Sequence, residues 1–271
     1  MKIVYADGQT CNQFWIYSNF IADSIEENKR IAVWIPDITL PYFPDFLKSD
    51  FIYFPFYSEN LIKIFGYEKY IKIIRRFFAN RISLPFFTIL FNKFLGINFV
   101  YANTECKKSN NRIKHLDHIK SIFTPIKSLT DEVDHVFNTI RKENELIIGI
   151  HIRRGDYSTF LDGKYFYSLG EYYTIMKKLL TIFATQKVIF FIASNEKISL
   201  SSFSNINCFK IPNSFSIKDL YGLSICDYII GPPSTFSGWA SFSGHTPIYF
   251  IENMKDEFSL NSFINIEDIW L

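Results

Sequence analysis

Residues Glu145–Tyr157 read ELIIGIHIRRGDY, and this stretch decides the fold. From Leu146 to Ile152 nearly every residue is apolar and β-branched, the pattern of a strand covered on both faces. The character then changes within two residues. Arg153 and Arg154 stand side by side, Gly155 suits a sharp turn, and Asp156 follows. In open α/β sheets ligands bind at the carboxyl ends of the strands, and a guanidinium fork donates in pairs to phosphate oxygens. One reading is therefore a phosphate or pyrophosphate site. A second is an Arg–Asp ion pair that closes a surface turn, an interaction worth only ~0–1 kcal/mol. A third takes Arg154-Gly155-Asp156 as an adhesion-type RGD loop. That reading fails if the preceding strand is buried and the chain is not secreted.

Outward from this strand the pattern alternates. Downstream, helices are predicted over Leu169–Ala184 and Ile217–Cys226, and another begins at Ser234. Strands are predicted at Lys187–Ala193, Cys208–Ile211, Tyr228–Gly231 and Pro247–Ile251. Upstream, the chain opens with a strand (Lys2–Tyr5), a loop (Asp7–Cys11), a helix from Asn12 to about Asn28, and a strand at Ile31–Ile35. Strands separated by helices build a mostly parallel sheet. The 271 residues suit two Rossmann-like domains of about 130 residues each. The expected division is 1–143 and 144–271, with the boundary near Lys142–Glu145.

The middle is less regular. Strands are expected at Phe51–Phe56 and Asn98–Ala102, a loop at Lys107–Lys114, and helices at Asp117–Phe123 and Thr130–Asn144, the last capped by Thr130. Asn60–Ile82 reads as one basic amphipathic helix carrying Lys63, Lys69, Lys72, Arg75, Arg76 and Arg81 against Glu68. Such a helix can lie on an anionic membrane surface. It can equally be a solvated face over the core.

Composition narrows the class. A formal charge of +2 gives no bulk reason to bind nucleic acid. The Phe, Tyr, Ile, Lys and Asn content points to an AT-rich bacterial genome rather than a special chemistry. Cys11, Cys106, Cys208 and Cys226 are scattered without a CxxC pair, which argues against a zinc site or a disulfide framework and fits a reducing compartment. Met1–Tyr5 reads as a strand rather than a signal peptide. The apolar run Leu84–Phe91 falls short of the ~20 residues a membrane span needs. The expectation is a cytoplasmic protein, with peripheral contact at the inner membrane as an option.

A second constellation lies at Asp219–Gly244, DLYGLSICDYIIGPPSTFSGWASFSG. A strand ends in Gly231-Pro232-Pro233, and Ser234-Thr235 sit where a helix begins. Ser and Thr suit an N-cap, and unsatisfied N–H groups at a helix start favour an anion. Gly238 and Ala240 keep that helix slim, so backbone can approach a ligand. An ordinary capped helix explains the stretch by itself. Together with the Arg pair it makes two anion-suited strand ends in one domain, which favours a diphosphate. At the other end of the chain, Asn12 and Gln13 can either cap the first helix or hydrogen-bond a sugar.

Three blocks carry a resemblance. His151-Ile152-Arg153-Arg154-Gly155-Asp156-Tyr157 resembles the HxRRGDY block of the α-1,2-fucosyltransferases, within the wider superfamily that uses GDP-fucose. Asp219–Trp239 is similar to the family's second block, with its Asp, helix, Cys, apolar strand and Thr-Phe-x-x-Trp. Asn12-Gln13-Phe14 resembles the end of the family's Gly-rich N-terminal loop, although Asp7–Cys11 lacks the usual glycines. The resemblance implies a GT-B architecture: two Rossmann-like domains facing across a cleft, the C-terminal one binding the donor and the N-terminal one on the acceptor side. It implies inverting, metal-independent transfer of L-fucose from GDP-β-L-fucose to a glycan hydroxyl, α-1,2 on galactose, in bacterial surface polysaccharide such as O-antigen or capsule. It places Arg153 on the β-phosphate, with Arg154 and Asp156 orienting it. Ser234, Thr235 and Phe236 would cradle the phosphates, Asp219 and the His151 backbone would read guanine, and Asn12 would face fucose or acceptor.

The residues agree with a metal-free mechanism. Charge develops on the leaving diphosphate, and a metal-dependent transferase would want a DxD pair, which the sequence lacks. Asp131-Glu132 and Glu267-Asp268 read as helix-terminal acids. No cofactor or metal is expected. The partners implied are a nucleotide-sugar donor and an oligosaccharide or lipid-linked glycan acceptor, with no nucleic acid. Deprotonating the acceptor hydroxyl calls for a base. Asp162 and Asp7 are candidates, and Asp156 is pre-empted if it pairs with an Arg. Transfer from another nucleotide sugar, and a non-catalytic nucleotide-sugar or glycan-binding protein, are the alternatives.

Overall fold

The computed structural model describes residues 2–6, 8–33, 37–55, 57–82, 98–102, 109–143 and 145–267. The chain forms two compact units, Met1–Thr124 and Pro125–Leu271. In the first, β1 (Lys2–Ala6), β2 (Ile31–Val33), β3 (Ile52–Tyr53) and β4 (Asn98–Ala102) make a parallel sheet in the order β3-β2-β1-β4. The helix Thr10–Glu27 buries Phe14, Ile16, Tyr17 and Ile21 completely or nearly so. Phe14 meets Phe43 edge-on, with ring centroids 4.8 Å apart. An αL residue, Asn28, ends the helix and donates its N–H to the Ile25 carbonyl.

The second unit is a five-stranded parallel sheet. Its strands are β5 (Glu145–Ile152), β6 (Lys187–Ser194), β7 (Cys208–Phe209), β8 (Tyr228–Gly231) and β9 (Ile248–Phe250), in the order β7-β6-β5-β8-β9. The continuous apolar run of β5 has a physical reason: both faces are covered. Ile148, Ile150 and Ile152 share one core with Tyr172, Met176 and Leu179 of the helix Leu169–Ile182. On the other face, a Cβ at Gly149 would lie 2.7 Å from the Leu223 side-chain tip of the helix Ser216–Ser224, so that helix packs closely on the strand. Each such aliphatic side chain contributes ~1.5–3 kcal/mol by leaving water. The chain leaves β5 toward β6 and β7 on one side, then returns to β8 and β9 on the other. The strand order therefore reverses between β5 and β8, the position at which doubly wound sheets open a crevice.

The structure corrects several boundaries. The helix expected from Thr130 spans Lys127–Ile140, because the stripe that must be buried is Leu129, Val133 and Phe137. Thr130 lies inside it, its hydroxyl donating to the Lys127 carbonyl at 3.0 Å. Phe137 packs on Phe191 and Phe209, at 5.2 Å in each case, so this helix belongs to the second unit. The division consequently falls at Thr124/Pro125 rather than near 142–145. The basic helix is two helices, Glu59–Phe65 and Tyr67–Ile82, broken at Gly66 with φ +76°. Asn111–Lys114 is a helical turn where a loop was expected. Asp7, Cys106, Asp268 and the run Leu84–Phe91 lie outside the described residues.

Candidate functional site

The site grows from the carboxyl ends of β5 and β8, which are adjacent and in register through Ile148–Tyr228, Gly149–Ile229 and Ile150–Ile230. Beyond β5 come Arg153 and Arg154, with side chains only 14% and 25% exposed. Asp156 Oδ2 accepts from Arg153 Nη2 at 2.7 Å. The ion pair that closes the turn thus does form, but around a largely buried guanidinium. Arg153 also lies over the Tyr157 ring at 5.5 Å. Arg154 stands over Phe166 at 5.0 Å, with its Nε 3.7 Å from Glu196. β5 is buried, and Arg154 and Asp156 of the RGD triplet are both held by neighbours, which meets the first of the two conditions against an adhesion loop.

Gly155 has a reason other than the expected one. It is not among the positive-φ glycines. Its Cβ position lies 2.7 Å from the Asn195 amide nitrogen, so a side chain there would push that amide away. The Asn195 amide is a brace: Nδ2 donates to Asp156 Oδ1 at 3.4 Å, and Oδ1 accepts from the Arg154 N–H at 3.2 Å. Sequence reasoning missed Asn195, Glu196, Tyr157 and Phe166 as parts of this site. The signal for the first two was present in the polar triplet Ser194-Asn195-Glu196 closing an apolar strand. Only the pairing of β6 with β5 sets that triplet beside the Arg turn.

The other half is the helix Thr235–Gly244. Ser234 caps it in extended conformation, its hydroxyl accepting from the Phe236 N–H at 3.2 Å. The sequence prediction of this cap holds. It also means that the Phe236 N–H is already bonded to Ser234. Gly238 and Ala240 of this helix are buried. Two contacts join the halves. The Tyr157 hydroxyl donates to the Pro233 carbonyl at 2.6 Å, and the His151 ring lies 5.1 Å from that of Phe236. His151 is buried and its Nδ1 has no hydrogen-bond partner among the described residues. Burial, then the nearby Arg153 charge, pushes its pKa down to about 3, so the ring is neutral.

Asp219 sits in the helix Ser216–Ser224, where it is buried and accepts from the Ser214 hydroxyl. Burial raises its pKa to about 6, against the lowering effect of hydrogen bonds from Ser214 and the Ser194 backbone. Asp162 is exposed, in a 3₁₀ turn where Leu161, Asp162 and Gly163 all take positive φ. Among the described residues it makes no hydrogen bond or ion pair. In the first unit, Gln9 rather than Asn12 or Gln13 precedes the first helix, and no side chain caps it. Asn12 packs against Gly8, whose φ is +89°. Gln13 is buried and donates from Nε2 to the Gly8 carbonyl at 3.0 Å. Both residues shape the loop after β1; neither caps the helix.

Two parallel α/β units, each with a strand order that reverses beside its first strand, form the architecture of GT-B glycosyltransferases, and solved structures share it. POFUT1 in complex with GDP is similar at 11% identity, over 90% of this chain and 94% of that one, with a TM-score of 0.58. The fucosyltransferase NodZ from Bradyrhizobium is similar at 13% identity, over 92% and 95%, with a TM-score of 0.56. A structure of NodZ α-1,6-fucosyltransferase soaked with GDP-fucose is similar at 14% identity, over 97% and 98%, with a TM-score of 0.55. The chain belongs to glycosyl transferase family 11, whose family model matches residues 1–270. It is a glycosyltransferase. No curated protein matches it. Among the described residues no helix is long and apolar enough to cross a membrane.

Proposed function

We propose that this enzyme transfers L-fucose from GDP-β-L-fucose to a glycan hydroxyl, with inversion and without a metal. The observation that carries the proposal is the meeting of a largely buried guanidinium and a Ser-capped helix start at the switch between β5 and β8. The structural neighbours crystallised with GDP and GDP-fucose support the choice of donor. The second unit holds the nucleotide and the first presents the acceptor, an oligosaccharide or lipid-linked glycan. An α-1,2 linkage to galactose within a bacterial surface polysaccharide is the specific form proposed.

The mechanism follows from where charge develops. As the glycosidic bond breaks, negative charge grows on the β-phosphate. Arg153, oriented by Asp156, stabilises it, with Arg154 beside it. The Ser234 hydroxyl, through its own hydrogen, and the N–H groups of the first helical turn at Thr235 complete the cradle. A preorganised group of this kind is worth ~10²–10³ in rate. His151, neutral and buried, adds no competing charge and borders the base. Asp219 accepts from guanine N–H groups. Asp156 is occupied by Arg153, which leaves Asp162 and Asp7 as the candidate bases, or a transition state of oxocarbenium character that needs only a weak one.

Isothermal titration with GDP, UDP and GDP-fucose in EDTA tests the donor assignment. Metal-independent binding of GDP and GDP-fucose, lost in Arg153→Ala, is the expected result. Preference for UDP, or binding that needs Mn²⁺, overturns it.

A further inference from the structure

The helix pair Glu59–Phe65 and Tyr67–Ile82 carries a face that its own unit does not use. In the second helix the packing is ordinary: Tyr70, Ile71 and Ile74 are buried together, with Tyr5, Ile62 and Tyr67 against them. The first helix has no buried residue at all. Its Leu61, Ile64 and Phe65 fall at i, i+3 and i+4, hence on one face. They are 40%, 71% and 43% exposed. Past Gly66, Lys69, Lys72, Ile73 and Arg76 fall at i, i+3, i+4 and i+7, again on one face, and all are exposed. Lys63 is exposed on the first helix, about 200° round its axis from Leu61 and so away from that apolar face.

Single exposed aliphatics need no explanation, whereas an apolar cluster rimmed by charge marks an interaction surface. Here the charge is net basic. Residues 59–82 contain six Lys and Arg against Glu59 and Glu68, a local excess of four in a chain whose net charge is +2. The rest of the protein is therefore net acidic. One of the two acids, Glu68, is already paired with Lys72. Helices that lie in a bilayer interface combine Phe and aliphatic residues with Lys and Arg in this way.

We propose that this two-helix face docks on an anionic lipid surface. Leu61, Ile64 and Phe65 enter the boundary between headgroups and acyl chains, and Lys69 and Arg76 rest on the headgroup charge. The face belongs to the first unit and the proposed donor site to the second, and the proposal does not depend on the donor's identity.

The test is co-sedimentation of the full chain with vesicles of phosphatidylcholine alone and of phosphatidylcholine with phosphatidylglycerol. Binding is expected to the mixed vesicles only and to weaken as salt rises. Lys69→Glu/Arg76→Glu removes two cations at ~1 kcal/mol each, a loss on the order of thirtyfold in partitioning. Ile64→Asp/Phe65→Ser is expected to abolish retention. Both variants should keep the thermal midpoint and the nucleotide affinity of the parent. No binding to anionic vesicles at low salt overturns the proposal, as does equal binding to neutral ones. A dimer in vesicle-free sedimentation velocity that Ile64→Asp/Phe65→Ser dissolves also overturns it, by assigning the face to a second copy of the chain.

Discussion

The Tyr157 hydroxyl donates to the Pro233 carbonyl at 2.6 Å, and this bond ties the Arg turn after β5 to the loop that starts the helix Thr235–Gly244. Each half of the site is built by its own stretch of chain; this contact fixes their separation. Tyr157→Phe keeps the ring beneath Arg153 and leaves the carbonyl without its donor. A loss of about 1–3 kcal/mol in urea unfolding is expected, together with weaker GDP binding in calorimetry. Unchanged nucleotide affinity would mean that the halves are held by their strands alone.

Ser234 does two jobs that substitution can separate. Ser234→Ala removes the cap and should cost ~1 kcal/mol of stability. Ser234→Asp keeps a capping oxygen for the Phe236 N–H but sets a negative charge where the diphosphate is proposed to bind. It should hold the parental unfolding midpoint while losing nucleotide affinity by tenfold or more. If Ser234→Asp binds GDP as the parent does, the phosphates lie elsewhere.

Gly231 abuts the backbone of His151. A Cβ there would be 2.7 Å from the His151 carbonyl oxygen and 2.9 Å from its Cβ, both on the neighbouring strand. Backbone cannot swing aside as a side-chain tip can. Gly231→Ala should destabilise by about 1–3 kcal/mol through overpacking, with the β5–β8 crevice distorted. Wild-type stability and donor affinity in that variant would show that the two strands separate at little cost.

Two buried titratable groups oppose each other with pH. His151 has a folded pKa of about 3 against 6.5 in the unfolded chain, so acid protonates the unfolded state first. Its contribution to stability is full above pH 6.5 and is lost as pH falls toward 3. Asp219, raised to about 6 from 3.8, binds its proton more tightly when folded, so through this group stability rises as pH falls from above 6 toward 4. Urea midpoints between pH 7.5 and 5 should fall less for His151→Leu than for the parent.

Asp219 also supplies a binding signature. Guanosine has no phosphate to titrate, and its proposed contact needs the carboxylate ionised. Its affinity should drop below pH 6, and Asp219→Asn should flatten the profile. A profile that keeps its slope in the variant would remove Asp219 from base recognition.

Much of this was legible along the chain, because the signals are local. An unbroken β-branched run means a strand covered on both sides. Two Arg at its end and a Pro-Pro-Ser-Thr break announce strand ends carrying anion-suited groups, and Ser234 caps the helix it was expected to cap. The sequence by itself determined that strands and helices alternate, that both sheets are parallel, and which two loops carry the anion-suited groups. Tertiary structure decided the rest, since it depends on which strands become neighbours. Pairing of β6 with β5 brought Asn195 and Glu196 to the Arg turn, and burial of Phe137 against Phe191 and Phe209 claimed the helix Lys127–Ile140 for the second unit. Gly155 proved to serve space for the Asn195 amide and not a positive φ. Helix and strand propensities act over a few residues, whereas the placement of a side chain forty or eighty positions away is set by the packing of whole faces that must leave water together.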